Sequence, residues 1–358
     1  MMMKKLNLFA KSRYGLLILC LSTNVYSSDN GIVVDTHKYK DLKVVKTKEG
    51  IETVFIEKPD ENGSSFNSFT SFNVNHAGAI IDNRSAKANI IINEVTSQET
   101  SKLNGNLSVL GSTSALIIAN PNGIECNQCQ FSGVNHVSLV TGINDVNNKD
   151  HYNISDKEII INGMGKTPKK QTINIVSNNI KIYGNNKIND LNILNGYNKT
   201  VFGDYLWDGL NQHYGIFTIK DGAVLTTDSF KLDGGEFFID GRLRTININI
   251  KSSEAININK NAKLVIFNRN RNDKFNSVQT IESKDFKVRG QLSIINNNVI
   301  FNTDNMELNN DNKVTIKHAS VLFNVKGKSF LVKDKKSLLI NINESKKKGE
   351  NLFGRDDF

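Results

Sequence analysis

The chain has 358 residues, a formal net charge of +9, 25 glycines and only 3 prolines. Its length allows one elongated domain or two compact ones with a sizeable core. A basic excess can indicate a nucleic-acid partner, but here the lysines are scattered among Asn and Asp and are not gathered with aromatic residues on a helix. The composition therefore argues against nucleic-acid binding.

The first 27 residues have the pattern of a cleaved secretory signal. Four basic residues precede an apolar run over residues 14–21, namely Lys4, Lys5, Lys11 and Arg13. That run is too short to span a bilayer, which needs about 20 residues, and no later stretch is apolar enough to do so. Val25 and Ser27 suit the −3 and −1 positions of a signal-peptidase site. We therefore predict cleavage after Ser27 and export across the inner membrane.

Short strands joined by tight turns are predicted next. Residues 31–56 contain apolar runs of strand type, and a polar turn over residues 59–65 follows them. Further on, apolar residues 115–118 lead into the sequence Asn-Pro-Asn-Gly at residues 120–123. Pro fixes φ for a turn, while Asn and Gly tolerate left-handed conformations. We therefore predict a sharp corner at residues 120–123 with a buried strand on each side.

Seven pieces of this region, in order, resemble the two-partner secretion (TPS) domain, the N-terminal export domain of filamentous haemagglutinins and of related haemolysins and adhesins. The pieces are residues 66–74, 78–83, 91–95, 101–105 and 118–123, the pair Cys126 and Cys129, and residues 138–142. The family often carries an Asn-Pro-Asn-Leu segment between the first pieces, whereas residues 83–88 cross that gap without it. The resemblance is close over residues 31–142, whereas the later chain shares only the general pattern of short strands and turns.

The resemblance implies an all-β fold, a right-handed parallel β-helix whose open end is closed by an N-terminal β cap. On this basis residues 28–142 form the TPS core with its cap. The resemblance also implies passage through the periplasm of a Gram-negative bacterium and export to the medium or cell surface. The partner it implies is an outer-membrane TpsB-type transporter of the Omp85 class. The implied structural and recognition residues are Asn93 and Glu94, in a turn of the core, and Asn120, Pro121, Asn122 and Gly123, at the corner.

Cysteine usage fits an exported protein. Cys20 leaves with the signal, so the mature chain keeps Cys126 and Cys129. A C-x-x-C pair can be half a zinc site, a redox motif or a local disulfide. Zinc would need two more ligands, of which only His136 is close in sequence. In an oxidising periplasm we favour a disulfide, and a similar pair in part of the family implies the same.

Residues 143–342 are predicted to form the coils of the β-helix. Apolar runs of strand length, rich in β-branched side chains, alternate there with Asn-rich turns. Residues 229–234 resemble residues 285–290 and, more faintly, residues 329–334, at separations that suit coils of about 20 residues. Residues 343–358 are predicted to be a charged tail that frays.

One segment interrupts this rhythm. Residues 202–214 contain Tyr205, Trp207 and Tyr214, with acidic residues between them. Such a cluster could bind a sugar by ring stacking, and the alternative is packing of a loop against the side of the β-helix. We predict an extra-helical loop here, with the three aromatic residues as candidate ligand contacts.

Catalytic signatures are missing from the sequence, which has no G-x-S-x-G and no H-E-x-x-H pattern. A β-helical enzyme would need acids gathered on one face of consecutive coils, and the candidates, each beside Gly or in a predicted turn, are Asp228, Asp233, Glu236 and Asp240. We predict a secreted exoprotein that is not an enzyme and has no metal site or cofactor. It would be an adhesin or a haemolysin-like protein that meets a host-cell receptor or glycan. The alternatives are a β-helical enzyme acting on polysaccharide and a truncated relic that keeps only its export domain.

Overall fold

The computed structural model describes residues 31–37, 42–112, 115–268, 279–308, 313–326 and 328–333. The predicted signal and the predicted charged tail lie outside them. Every regular element of the described residues is a β-strand, which confirms the all-β class. Within these residues no helix is long and apolar enough to cross a membrane.

The strands follow one another closely along the chain. The first are β1 (Ile32–Val34), β2 (Lys43–Lys46), β3 (Glu52–Phe55), β4 (Ser64–Phe72), β5 (Ala79–Asp82), β6 (Ile90–Val95), β7 (Ser101–Leu103), β8 (Asn106–Leu110), β9 (Ala115–Ala119), β10 (Ile124–Asn127), β11 (Gln130–Ser132) and β12 (His136–Val140). The middle strands are β13 (Gly142–Asp145), β14 (Asn148–Ile154), β15 (Glu158–Asn162), β16 (Thr172–Val176), β17 (Asn179–Tyr183), β18 (Asn185–Lys187), β19 (Asp190–Leu194), β20 (Tyr197–Gly203), β21 (Leu206–Gln212) and β22 (Ile216–Ile219). The last are β23 (Val224–Gly234), β24 (Glu236–Ile239), β25 (Arg242–Ser252), β26 (Ala255–Ile258), β27 (Lys263–Phe267), β28 (Gln279–Val288), β29 (Gln291–Ile295), β30 (Asn298–Leu308), β31 (Lys313–Lys317), β32 (Ser320–Val325) and β33 (Lys328–Lys333).

The strands stack in parallel on three faces, so the chain is a parallel β-helix. The first face contains β4, β6, β9, β12, β16, β19, the second halves of β23 and β25, the first halves of β28 and β30, and β32. The second face contains β7, β10, β15, β17, β22, β24, β26 and the second halves of β28 and β30. The third face contains β3, β5, β8 and β11 and, further along, β18, the first halves of β23 and β25, β27, β29 and β31.

The core is a continuous column inside the coils. Because side chains alternate between the two sides of a strand, every second residue of each face points inward and stacks on its equivalent in the next coil. On the first face one such inward row is Ile91, Leu116, Val137, Ile173, Leu191, Phe230 and Ile248. Phenylalanines from different faces meet within it, as Phe217 of the second face and Phe230 of the first do with ring centroids 6.1 Å apart. Stacking of coils therefore supplies the buried surface that no single coil could supply.

Antiparallel strands close the first coils. β1 pairs with β4, and β2 pairs with β3, which begins the third face. β2, β3, β5, β8 and β11 form a five-stranded sheet. The predicted N-terminal cap therefore has a structural counterpart, which covers strand edges that would otherwise be open. At the other end of the described residues, β33 pairs antiparallel with β32.

A second sheet lies outside the β-helix. β13, β14, β20 and β21 pair antiparallel as a four-stranded extra-helical sheet. Its two hairpins branch from the β-helix after β12 and after β19, which are both strands of the first face. Tyr152 and Phe202 from this sheet pack with Ile117, Val140 and Leu194 on the outer side of the first face. That cover explains why all of β9 is buried, on both sides of its strand.

Two expectations from the sequence need correction here. The segment predicted as a loop near residues 202–214 belongs to the hairpin of β20 and β21. The similar segments at residues 229–234 and 285–290 lie on different faces, since Phe230 is on the first and Phe286 on the second. The coil length is right, because Leu225, Leu243 and Leu264 are aligned neighbours roughly 20 residues apart. The two segments look alike in sequence because a short pattern of alternating apolar residues beside a turn fits any face of such a coil.

Candidate functional site

The corner at residues 120–123 joins β9 on the first face to β10 on the second. The backbone N–H of Gly123 donates to the carbonyl of Asn120 over 3.2 Å, and the N–H of Asn122 donates to Oδ1 of Asn120 over 2.9 Å. Gly123 has a φ of 108°, which other residues adopt only under strain. The predicted tight corner is confirmed, with a strand on each side of it.

Both asparagine side chains of the corner bond to the preceding coil. Nδ2 of Asn120 donates to the carbonyl of Glu99 over 2.9 Å and to Oγ of Ser101 over 3.0 Å. Nδ2 of Asn122 donates to the carbonyl of Ser97 over 2.7 Å. Asn120 is fully buried, so its amide needs these partners to offset the loss of water. The corner is therefore cross-linked to the coil that precedes it along the chain.

The corner also contacts the following coil. Oγ of Ser155 donates to the carbonyl of Pro121 over 2.6 Å. A Cβ added at Gly123 would lie 3.0 Å from the carbonyl oxygen of Glu158, which is closer than packed atoms normally approach. Glycine is thus required at residue 123 both for its φ and for the approach of the next coil.

The second corner of the same coil, from β10 to β11, contains the disulfide. Cys126 and Cys129 are bonded, with their Cα atoms 5.2 Å apart, and both are fully buried. Gln128 between them has a φ of 58° and donates its N–H to the carbonyl of Asn162 over 2.8 Å. The structure thus pairs the two cysteines with each other, as the sequence favoured. We call residues 115–132, with these two fixed corners, the pinned coil.

Asn93 and Glu94 do not form the predicted turn. They lie in strand β6 of the preceding coil, opposite Ile118 and Ala119 of the pinned coil. Asn93 is completely buried, and among the described residues its amide atoms have no hydrogen-bond partner. The prediction was wrong because it rested on a short local resemblance, whereas strand pairing on both sides of β6 fixes their conformation here.

Glu94 has a different position and a different contact. It points to the outer side of the first face, where its Oε1 accepts a hydrogen bond of 2.8 Å from the backbone N–H of Asn144 in β13. Its carboxylate therefore fastens the edge of the extra-helical sheet to the β-helix. The sequence gives no sign of this contact, since the two residues are 50 positions apart.

The aromatic candidates separate into two groups. Nε1 of Trp207 donates to Oγ of Ser138 over 3.0 Å, and its ring lies 5.0 Å from the rings of Tyr152 and Phe202. Tyr205 stacks on His136 at 5.0 Å, and burial lowers the pKa of that histidine. Tyr205 and Trp207 therefore pack against the side of the β-helix.

Tyr214 lies apart from the other two aromatic residues. It is 58% exposed beyond the end of β21 and donates its hydroxyl to Oε2 of Glu236 over 3.3 Å. The three aromatic residues thus do not form one binding site.

The geometry defines a class: a parallel β-helix with a capped start, a cross-linked Asn-Pro-Asn-Gly corner and a second sheet on its first face. Residues 29–316 match the family described as the TPS secretion domain, which is most of the chain. The chain belongs to this family, as the resemblance indicated. TPS exoproteins are secreted from Gram-negative bacteria, and the domain implies a TpsB transporter as partner.

Characterised relatives are much longer than this chain. It is 30% identical over 178 residues to a protein named toxin CdiA of Yersinia pestis, an alignment that covers 44% of this chain and 5% of that protein. It is 32% identical over 145 residues to a haemolysin of Serratia marcescens, covering 35% of this chain and 9% of the haemolysin. A haemolysin of Proteus mirabilis is 33% identical over 147 residues, an alignment that covers 36% of this chain and 9% of that haemolysin.

Two solved structures cover most of the chain. The filamentous haemagglutinin secretion domain is 17% identical and covers 83% of this chain and 98% of its own, with a TM-score of 0.44. The HMW1 secretion domain from Haemophilus influenzae is 14% identical, and the match covers 83% of this chain and 77% of that domain, with a TM-score of 0.45.

Proposed function

We propose that this chain is the exported partner of a two-partner secretion system and that its transporter, of the Omp85 class, recognises the pinned coil. The observation that carries the proposal is the corner at residues 120–123, whose two amides bond to the preceding coil while its backbone contacts the following one. Such a coil is a suitable nucleus for a β-helix, because each later coil can then bury apolar surface against a surface already formed. Folding outside the cell would in this way draw the chain across the membrane.

Replacement of Asn120 and Gly123 by Ala tests this role. We expect much less mature protein in the medium at an unchanged rate of synthesis, measured by pulse labelling in cells that express the transporter. Asn259→Ala is the matched control, because Nδ2 of Asn259 also bonds to the preceding coil, at Asp240 Oδ1 over 2.6 Å, but far from the pinned coil. Equal losses for the two variants would mean that any damaged corner blocks secretion, and recognition would then lie elsewhere.

We further propose that the exported protein acts by binding at a host-cell surface and not by catalysis. Three of the four acidic residues named from the sequence support this, because they lie at different places on the β-helix. Asp233 lies opposite Lys251 on the first face, Glu236 accepts from Asn257 on the second, and Asp240 accepts from Asn259 beyond the end of β24. The haemolytic and toxic activities in the names of the relatives belong to proteins of which this chain spans a small part.

Fractionation of cells with and without a gene for a TpsB-type transporter tests the system as a whole. We expect the mature chain in the medium or on the cell surface only when the transporter is present, and in the periplasm when it is absent. Retention in the periplasm in both strains would contradict the proposed export.

A further inference from the structure

A long polar groove runs along the outer side of the first face, beyond the edge of the extra-helical sheet. One part, of about 300 Å³, lies beside β21 and is lined by Trp207, Asn192 and Leu194. A second part, of about 590 Å³, continues over the later coils and is lined by Glu282, Asn302 and Asn324. Asp233 and Lys251 line both parts, so the two form one groove.

The floor of the groove is a ladder of polar side chains. Asp233, Lys251, Glu282, Asn302 and Asn324 occupy the same outward position on successive coils. Nδ2 of Asn302 donates to Oε1 of Glu282 over 3.2 Å, and Nδ2 of Asn324 donates to Oδ1 of Asn302 over 2.8 Å. At about 4.8 Å between neighbouring strands, the ladder extends over about 19 Å. A ligand that followed it would be elongated and would meet similar groups at regular intervals.

The wall of the groove comes from the extra-helical sheet. The hydroxyl of Tyr197, at the start of β20, donates to Oδ1 of Asp233 over 2.7 Å. Trp207 and Leu206 of β21 border the first part, where Val176 and Leu194 provide an apolar floor. The first part of the groove is therefore aromatic and aliphatic, whereas the second part is lined mainly by amides, carboxylates and hydroxyls. Such a mixture suits a ligand with apolar ring faces and many hydroxyl groups.

The charges of the groove nearly cancel. Its carboxylates are Asp208, Asp233, Glu282 and Asp304, and its ammonium groups are Lys231, Lys251 and Lys326. The backbone of the floor is engaged in pairing between coils, so a peptide could not extend the sheet there, and only side chains are available for recognition. We propose that this groove binds a neutral, linear oligosaccharide, whose hydroxyls bond to the amide and carboxylate ladder while a sugar ring packs near Trp207.

The wild-type protein contains its own reporter for this proposal. Trp207 is the only tryptophan in the chain, and it borders the groove. The secreted full-length chain is titrated separately with maltohexaose, cellohexaose, laminarihexaose and chitohexaose while tryptophan emission is recorded. We expect a saturable change with at least one of them, at a half-saturation of about 1 mM or below that changes little with salt. Binding of heparin alone, lost at high salt, would overturn the proposal and assign the contact to the net positive charge. So would the absence of binding to all four sugars.

A matched pair of variants locates the site. In Asn302→Ala the amide that bonds to Glu282 in the groove is removed, and in Asn257→Ala the amide that bonds to Glu236 on the second face, also over 3.2 Å, is removed. We expect a loss of affinity of at least about tenfold for Asn302→Ala and wild-type affinity for Asn257→Ala. Equal affinities in the two variants would overturn the location.

Two controls distinguish a loss of binding from a loss of folding or of export. If Asn302→Ala lowers the thermal midpoint more than Asn257→Ala does, Lys251→Ala replaces it, because that side chain is exposed on the ladder. Wild-type affinity in Lys251→Ala would then overturn the location. All three variants are expected in the medium at normal levels, so failure of this inference is seen in binding and failure of the export proposal is seen in fractionation.

Discussion

Nε1 of Trp207 donates a hydrogen bond of 3.0 Å to Oγ of Ser138, although the two residues are 69 positions apart. The bond joins the extra-helical sheet to the outer side of the first face, one coil after the pinned coil. It fixes the hairpin of β20 and β21 in place, and with it one wall of the polar groove. The same sheet is held at its other edge by the bond from the N–H of Asn144 to Glu94.

Removal of the indole should loosen this hairpin. Trp207→Phe keeps an aromatic ring but loses the bond to Ser138, so we expect the free energy of local opening to fall by about 1 kcal/mol. Trp207→Ala should lower it by about 3 kcal/mol or more, since contacts with Tyr152 and Phe202 also disappear. Amide hydrogen exchange of β20 and β21, followed by mass spectrometry, measures both changes. Tyr214→Phe, at an exposed site, serves as the control, and exchange unaltered by Trp207→Ala would contradict this role.

Gly123→Ala should destabilise the β-helix more than the same change at another left-handed glycine. Gly123 has a φ of 108° and lies against the carbonyl of Glu158, whereas Gly222 has a φ of 73° and open space where a Cβ would lie. Both changes impose backbone strain of order 1 kcal/mol, and only Gly123→Ala also pushes the next coil away. Urea denaturation followed by circular dichroism should give a lower midpoint for Gly123→Ala than for Gly222→Ala. Equal midpoints would show that the contact with Glu158 is unimportant.

Loss of the disulfide should weaken the pinned coil. For a loop this short, the change in chain entropy predicts a loss of about 2 kcal/mol when Cys126 and Cys129 are both replaced by Ser. Burial of two hydroxyls in place of sulfur adds to the loss, so Cys126→Ala with Cys129→Ala is the better test of the bond itself. Urea denaturation of the oxidised wild type, the reduced wild type and the Ala pair separates the two effects. A midpoint that does not change on reduction would contradict a stabilising role for the bond.

Asp190 is predicted to destabilise the fold at neutral pH. Its pKa is raised from 3.8 by burial and by the nearby charge of Asp228. A carboxyl whose pKa is higher in the folded than in the unfolded chain favours folding below the unfolded pKa, and this contribution is lost as the pH rises through the folded pKa. Asp190→Asn should therefore raise the thermal midpoint at pH 7, and the gain should vanish below about pH 3.8. Asp221→Asn, at an exposed turn, should leave the midpoint unchanged at both pH values, and a gain for Asp190→Asn that persists in acid would contradict this explanation.

Several features could be predicted from the sequence because they depend on a few neighbouring residues. Alternating apolar residues fixed the strands, and the Asn-Pro-Asn-Gly run fixed the corner, since φ preferences act locally. The C-x-x-C spacing allowed a local disulfide. Asn93 and Glu94 show where such reasoning fails. The local resemblance implied a turn there, but pairing of β6 with β4 and β9 places them in a strand.

By itself, the sequence determined an all-β chain of short strands, a coil length of about 20 residues, a corner at residues 120–123 and membership of the TPS domain family. Only the tertiary structure decided which strands share a face, that two hairpins join into one extra-helical sheet, and that a polar ladder lies open beyond it. The reason is physical. Turns and alternation are set by local backbone preferences, whereas pairing between distant segments depends on which apolar surface the folded coils leave uncovered.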